Sequence, residues 1–379
     1  MNTEIKSTSP THIYYDLQIN NFQSTTTESP RLVFNETRNN SFVPKADDYY
    51  LSIVRFQLDT YSLPTFIADI QPNQSDRNLM IYSVTLEADI GGIITSTNNF
   101  FLTWQPSNVF ERLPNPPSAT SNGFQDNSTE YYYGNSFQYF CDLVNTQLSL
   151  ALTNLITLTG GGLSPFATAN APYLKWNSAT ECGELFTEDT FYNPSNVNKI
   201  NIYFNRPLFA LMTSFKAIRY GTQATLGRFY KIITTNYGNN IVTIGGLDYI
   251  VTSQEYSTTS NWSPVASIVF TTGTLPIVPN QLSAPLIFFE NQLVQTANNP
   301  NFSNVLTDMA TNDMVYKPNL LYVPTAQYRM VDLTTSQPIT NIDLQCYWKD
   351  KQGILRPFIL LSGASASVKI LFQKKFSGL

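Results

Sequence analysis

Residues 13–20, Ile13-Tyr14-Tyr15-Asp16-Leu17-Gln18-Ile19-Asn20, open apolar and then alternate, with Leu17 and Ile19 on one side and Asp16, Gln18 and Asn20 on the other. A period of two marks a strand buried on one face. The pattern returns in Tyr50-Leu51-Ser52-Ile53-Val54-Arg55-Phe56-Gln57-Leu58-Asp59 and in Leu79-Met80-Ile81-Tyr82-Ser83-Val84-Thr85-Leu86-Glu87, each bounded by Asn, Pro, Gly or Asp. Near the other end, residues 266–271, 286–293, 328–334, 342–349 and 366–372 read as further strands, eight in all with the first three. Eight antiparallel strands supplied by both ends of a chain, joined by turns, is the strand count of a jelly roll. The fold class is therefore read as all-β: a single eight-stranded jelly roll, an antiparallel sandwich, with a large insertion domain containing one helix.

The expected organisation is a flexible N-terminal arm over 1–12, a jelly-roll domain from 13–95 and 262–379, and an insertion domain over 96–261. The arm is polar, rich in Ser and Thr, and without period, which suits a segment that orders against a partner. Residues 106–135 mix Pro, Asn, Ser and Gly and read as loop. The one helix follows: Ser136 can cap it, Phe137, Phe140, Cys141, Val144, Leu148 and Leu152 recur at three and four, and Thr159-Gly160-Gly161-Gly162 stops it. Its aliphatic face is read as packing on a neighbouring sheet rather than on a membrane or a partner helix. Short strands over 172–260, such as 199–204 and 229–233, with turns at Tyr237-Gly238-Asn239-Asn240 and Gly245-Gly246, suggest a small sheet or barrel. No repeat of fixed period is visible, which disfavours propellers and solenoids.

Composition limits function. Over 379 residues, charged side chains are 13% against 42% hydrophobic and 13% aromatic, about half the usual charge of a soluble domain. A subunit whose flanks are covered by neighbours needs fewer surface charges, so the deficit leans towards assembly. A net charge of −5 argues against nucleic acid as the main partner. Lys374 and Lys375 are read as a solvated strand end, with an inward-facing tail that touches the genome as the lesser reading. Cys141, Cys182 and Cys346 are odd in number and far apart, which fits buried reduced thiols and no zinc spacing. The opening MNTEIKSTSP lacks an export pattern and no apolar run reaches the roughly 18 residues that cross a bilayer. The expected location is cytosolic until assembly.

The chemistry-bearing residues point to no reaction. His12 is the only histidine, beside the arm, which disfavours serine or cysteine triads and imidazole metal sites. Glu181 and Glu184 around Cys182, Asp332 and Asp343 in strands, and the pairs Asp47-Asp48 and Glu188-Asp189 read as strand-edge and turn carboxylates rather than a catalytic pair or a cation site. Gly91-Gly92 and Gly160-Gly161-Gly162 lack the context of a phosphate loop. Tyr131-Tyr132-Tyr133 with Trp104 is either a sugar-stacking platform or a set of buried anchors. No residue is assigned a catalytic, cofactor or metal role.

The C-terminal third carries a resemblance. Tyr328-Arg329-Met330-Val331-Asp332-Leu333-Thr334, then Pro338-Ile339-Thr340-Asn341-Ile342-Asp343-Leu344-Gln345-Cys346-Tyr347-Trp348-Lys349-Asp350, then Ser365-Ala366-Ser367-Val368-Lys369-Ile370-Leu371-Phe372 resemble the closing strands of penton (minor capsid, vertex) proteins of virophages and polinton-like viruses, in particular those of Sputnik-like virophages. Residues 202–208 and 254–265 are similar to the same proteins, so the likeness spans about 198–375. The resemblance implies a jelly roll standing at the five-fold vertex of an icosahedral virion, with the insertion facing outward. It also implies a homopentamer surrounded by double jelly-roll major capsid proteins, assembled in the host cytoplasm and without enzymatic activity. A closed ring needs heterologous flanks, each subunit showing one side to the next subunit's opposite side. Each contact should exceed about 1,000 Å² if the ring stands alone. A carbohydrate-binding or host-attachment module using the insertion's aromatics remains the alternative, with a β-sandwich glycosidase behind it.

Overall fold

The computed structural model describes residues 10–21, 31–72, 74–106, 116–117, 125, 127, 129–221, 227–234, 240–278, 286–289, 292–295, 304–310, 319–323 and 329–375. Residues 1–9 of the expected arm, most of the 106–135 stretch, and Tyr237 to Asn239 of one expected turn lie outside them. The chain divides into two compact units. The first takes Met1–Pro64, Asn108–Leu113 and Pro264–Leu379; the second takes Thr65–Ser107 and Pro114–Ser263. Strands dominate both units, and the few helices are short apart from one.

In the first unit a five-stranded sheet runs in the order His12–Asn20, Ser365–Lys374, Tyr49–Asp59, Asn319–Tyr322, with Val331–Asp332 also on Tyr49–Asp59. Strand His12–Asn20 pairs antiparallel with Ser365–Lys374 from His12 opposite Gln373 to Asn20 opposite Ser365. That strand pairs in turn with Tyr49–Asp59, with a bulge between Lys369 and Ile370. The beginning and the finish of the polypeptide therefore share one sheet. The second sheet runs Gln292–Gln295, Leu286–Phe289, Ile354–Pro357, Asn341–Asp350, Val265–Thr272, Asn304–Ala310, with Val33–Thr37 on Asn341–Asp350.

Alternation explains why the two sheets face each other. Leu51, Phe56 and Leu58, then Ala366, Val368, Ile370 and Phe372 are buried from the first sheet, and Ile268, Phe270, Ile342, Leu344, Cys346 and Trp348 from the second. Phe56 and Phe270 meet across the gap with ring centroids 5.2 Å apart. Two sheets sharing one apolar interior make a β-sandwich.

In the second unit a six-stranded sheet runs Ala217–Arg219, Tyr230–Ile232, Asn198–Phe204, Leu79–Ile90, Ile93–Ser96, with Phe100–Thr103 also on Leu79–Ile90. A four-stranded sheet runs Ile241–Ile244, Leu247–Ser253, Cys182–Glu188, Tyr173–Asn177. Helix Phe137–Leu158 starts where expected, its first turn closed by Ser136 Oγ accepting from Tyr139 N. Gly160, at φ +116°, takes the left-handed conformation that ends it. One face packs on both sheets: Phe140 meets Tyr82 of the larger (5.4 Å) and Phe137 stacks on Trp176 of the smaller (4.4 Å).

Three expectations change. Leu79–Ile90 belongs to the second unit, paired with Asn198–Phe204, although the reading of 13–95 placed it in the jelly roll; alternation records one buried face and not which sheet a strand joins. Residues 286–293, read as one strand, form parts of two that pair antiparallel, Phe289 opposite Gln292. Of the described residues 329–334, the strand is only Val331–Asp332.

Candidate functional site

Taken residue by residue, the side chains singled out from the sequence serve the fold. His12 is exposed at the start of the edge strand, its Nδ1 3.1 Å from Thr11 Oγ1. Cys141, Cys182 and Cys346 are buried and unpaired; burial pushes the Cys141 thiol up to about 12 and that of Cys346 well above its usual range, so neither is a poised nucleophile. Lys45 pairs with both Asp47 (3.4 Å) and Asp48 (2.9 Å). Glu184 accepts from Asn177 Nδ2, and Glu181 sits in a turn at φ +54°. Buried Glu188 accepts from the N and Nδ2 of Asn170, both at 3.0 Å, while Asp189 accepts from Asn193 Nδ2. Gly91 and Gly92, at φ +57° and +94°, form a hairpin turn. Among the described residues no group of acidic, His or Cys side chains is arranged to hold a metal ion, and no helix is long and apolar enough to cross a membrane.

Of the two readings of the aromatic cluster, the structure supports the buried anchors. Tyr131, Tyr132, Tyr133 and Trp104 are all buried. Trp104 Nε1 donates to Tyr131 O at 2.8 Å, Tyr131 and Tyr132 donate their hydroxyls to Asn78 Oδ1 and Arg77 O, and Phe66 meets Trp104 edge-on. Rings held this way are anchors under the helix, and none is free to stack on a sugar. Lys375 is held along its own sheet: its Nζ lies 2.8 Å from the half-exposed Asp332 Oδ1 and 5.0 Å from the Tyr50 ring centre, and its N–H donates to Asp48 O. That geometry favours the strand-end reading of the basic pair.

Asp343 closes a turn. It accepts from Thr272 Oγ1 (2.6 Å), Gly273 N (2.8 Å), Thr274 N (2.9 Å) and Thr274 Oγ1. Burial, the largest single influence, raises its pKa, but these bonds together outweigh it and hold the carboxyl below its ordinary value. A depressed carboxylate stabilises the fold above its unfolded pKa, and that contribution is lost as pH falls through the folded value. Thermal midpoints of the wild type should therefore fall below about pH 4 more steeply than those of Asp343→Asn; parallel profiles from pH 2 to 7 would refute the assignment.

Sequence reasoning missed the partnered charges inside each unit. In the first, Asp350 and Arg356 are both buried, Asp350 Oδ2 lying 3.3 Å from Arg356 Nε. In the second, Glu87 accepts from Arg228 Nη1 (2.8 Å), Tyr203 OH (2.8 Å) and Asn201 Nδ2 (3.1 Å). Neither pairing leaves a local mark, since the partners are joined by the folded backbone. What remains at the surface are sheet edges. Among the described residues His12–Asn20 stands at the edge of its sheet, its Asp16 bridging to Lys369 (3.4 Å) on the neighbouring strand and to Arg55 (3.3 Å) on the strand beyond it.

The fold and these side chains define the class only as a mostly β-sheet protein with a two-sheet sandwich in its first unit. The sequence matches the family described as Sputnik minor capsid protein V18/19 over residues 13–374. The chain belongs to that family of minor capsid proteins. It is 29% identical over 206 residues to structural protein V19 of Sputnik virophage, covering 53% of this chain and 93% of the relative. It is 31% identical over 158 residues to the uncharacterized protein V18 of the same virophage, covering 41% and 91%. Among solved structures it is similar to a chain in the cryo-EM structure of the Sputnik virophage, with a TM-score of 0.79 and 28% identity over 97% of this chain and 99% of that one. A crystal structure of mavirus penton protein has the same fold at 15% identity and a TM-score of 0.59, over 96% and 99%.

Proposed function

We propose that the chain builds the pentameric five-fold vertices of an icosahedral virion. The first unit is a single jelly roll whose eight principal strands carry the capsid role, and the second is an insertion between the Tyr49–Asp59 and Val265–Thr272 strands. Copies of the chain are the first partner, and double jelly-roll major capsid proteins the second. The role is structural and not catalytic, and assembly takes place in the host cytoplasm. The supporting observation is the 0.79 TM-score likeness to a Sputnik virion chain over 97% of this one. The attachment alternative drew on Tyr131–Tyr133, which are buried.

Electron microscopy of the purified full-length chain, alone and mixed with the major capsid protein, tests the reading. Five-membered rings, or vertices filled only when the chain is added, are expected. Shells that close fully without it, and no ring in either sample, would overturn the proposal.

A further inference from the structure

Charge is spread unevenly through the second unit. Over residues 190–247 the chain holds no Asp or Glu, yet six of its 22 Lys and Arg residues fall there: Lys199, Arg206, Lys216, Arg219, Arg228 and Lys231. Carboxylates of the neighbouring Leu79–Ile90 strand answer two of them, Glu87 meeting Arg228 at 2.8 Å and Asp89 meeting Lys199 at 3.6 Å. Among the described residues neither Arg206 nor Arg219 forms an ion pair, and both are exposed.

Aromatic rings stand beside these two guanidinium groups. Arg219, on the outer strand Ala217–Arg219, is directly opposite Tyr230, so the two share a face of the sheet. The Phe209 ring lies flat on that of Tyr230, with centroids 3.9 Å apart and planes at 8°. Arg206 begins the helix Arg206–Leu211 that carries Phe209; residues three apart are neighbours on a helix surface. Its guanidinium also lies 4.6 Å over the Phe229 ring. Phe209, Phe229 and Tyr230 are all partly exposed, and Tyr220, 41% exposed, follows Arg219 at the rim.

Protection of a strand edge explains part of this pattern. Unpaired edges are commonly guarded by charge, which accounts for Lys216 and Arg219 at the outer strand. It accounts neither for Arg206, which sits on a helix, nor for rings left part-exposed between the cations. The carboxylates of an acidic peptide or the sulfates of a polysaccharide would answer the arginines, but bring no flat π surface to the rings. A single nucleic acid strand presents a phosphate and a flat base at every nucleotide, and proteins hold it with cations along its backbone and aromatic rings against its bases. We propose that the corner formed by Arg206, Phe209, Arg219 and Tyr230 binds single-stranded nucleic acid, with phosphates on the two arginines and a base on the Phe209–Tyr230 stack. The net charge of −5 confines the attraction to this corner and makes it sensitive to salt. This contact is independent of the vertex reading.

The test is fluorescence anisotropy of the full-length chain with labelled oligo(dT) and oligo(U) of about 20 nucleotides, titrated from about 50 to about 300 mM salt. Binding is expected, with log K falling against log salt at a slope of about −1.4 or steeper, the value for two phosphates neutralised on a single strand. Arg206→Gln with Arg219→Gln should weaken binding at least tenfold at the lowest salt and flatten the slope by about 1.4. Lys175→Gln, which removes an exposed cation from the unit's other sheet, should change neither. Phe209→Leu should weaken binding by about fivefold or more, the low end for loss of one stacked base, while keeping the slope. Circular dichroism checks the fold of each variant, and Arg206→Lys with Arg219→Lys, which keeps both charges, should keep the slope as well. Tighter binding of oligo(U) than of oligo(dT), or the reverse, supports the site and says which strand it takes. No binding of either oligonucleotide at about 50 mM salt, or binding that the glutamine pair leaves unchanged, would overturn the proposal. So would a heparin fragment that binds more tightly than both oligonucleotides and is indifferent to Phe209→Leu, because that outcome assigns the corner to an acidic polysaccharide.

Discussion

Phe140→Ala is expected to destabilise the second unit by about 3–5 kcal/mol, the usual cost of emptying a buried phenylalanine site. The side chain is fully buried on the long helix, and its ring meets Phe66 at 5.3 Å, Tyr82 at 5.4 Å and Trp262 at 4.8 Å. These three neighbours come from separate segments of the unit, and Trp262 is itself held by Nε1 donating to Leu211 O at 2.8 Å, so the walls have little freedom to collapse inward. For a unit of this size the loss corresponds to a fall in melting temperature of roughly 6–20 °C. Calorimetry should show it, with Thr153→Ala as the control. Thr153 lies on the helix's exposed side, where its hydroxyl bonds back to Ser149 O, and surface changes of this kind usually stay within about 0.5 kcal/mol. Equal shifts for the two variants would contradict the packing described.

Arg356→Met should cost the first unit a similar amount, about 3–5 kcal/mol, because it strands a buried carboxylate. Asp350 Oδ1 accepts from Gln352 N and Ile354 N, both at 2.9 Å, which leaves Oδ2 to the guanidinium. Arg356 also lies 5.6 Å over the Trp348 ring, so a long apolar replacement keeps part of the packing while removing the charge. Denaturant midpoints should fall without a change in slope. Adding Asp350→Asn to Arg356→Met should recover part of the loss, since the orphaned charge is then gone. If the double variant is no more stable than Arg356→Met, the penalty does not come from an unpaired carboxylate.

The sequence made some parts of this molecule plain. Residues 13–20 and 50–59 advertise a single buried face, and the structure pairs each with Ser365–Lys374. The helix could be read to its first residue because Ser136 caps it and its apolar positions recur at helical spacing. Illegible from pattern were the sheet joined by Leu79–Ile90 and the short strands Val33–Thr37, paired with distant Asn341–Asp350, and Cys182–Glu188, paired with distant Leu247–Ser253 as well as with neighbouring Tyr173–Asn177. Buried pairs such as Asp350 with Arg356 were equally hidden. The two hairpins had a faint signal, a Gly-Gly turn flanked by aliphatics at Ile90-Gly91-Gly92-Ile93 and Ile244-Gly245-Gly246-Leu247. Such a turn identifies a hairpin; it does not say whether the outer strand is covered.

Among the described residues the His12–Asn20 strand pairs in its sheet only with Ser365–Lys374. At a synthesis rate of about 5–20 residues per second, the ribosome needs roughly 20–70 s to bring the second after the first. Throughout that interval an adhesive ribbon is displayed on every nascent chain, and polysome crowding puts neighbouring ribbons within reach. Swapped closure, in which one molecule's leading ribbon completes another's sheet, is thus the error to which translation of this message is most exposed. Slower elongation would aggravate it.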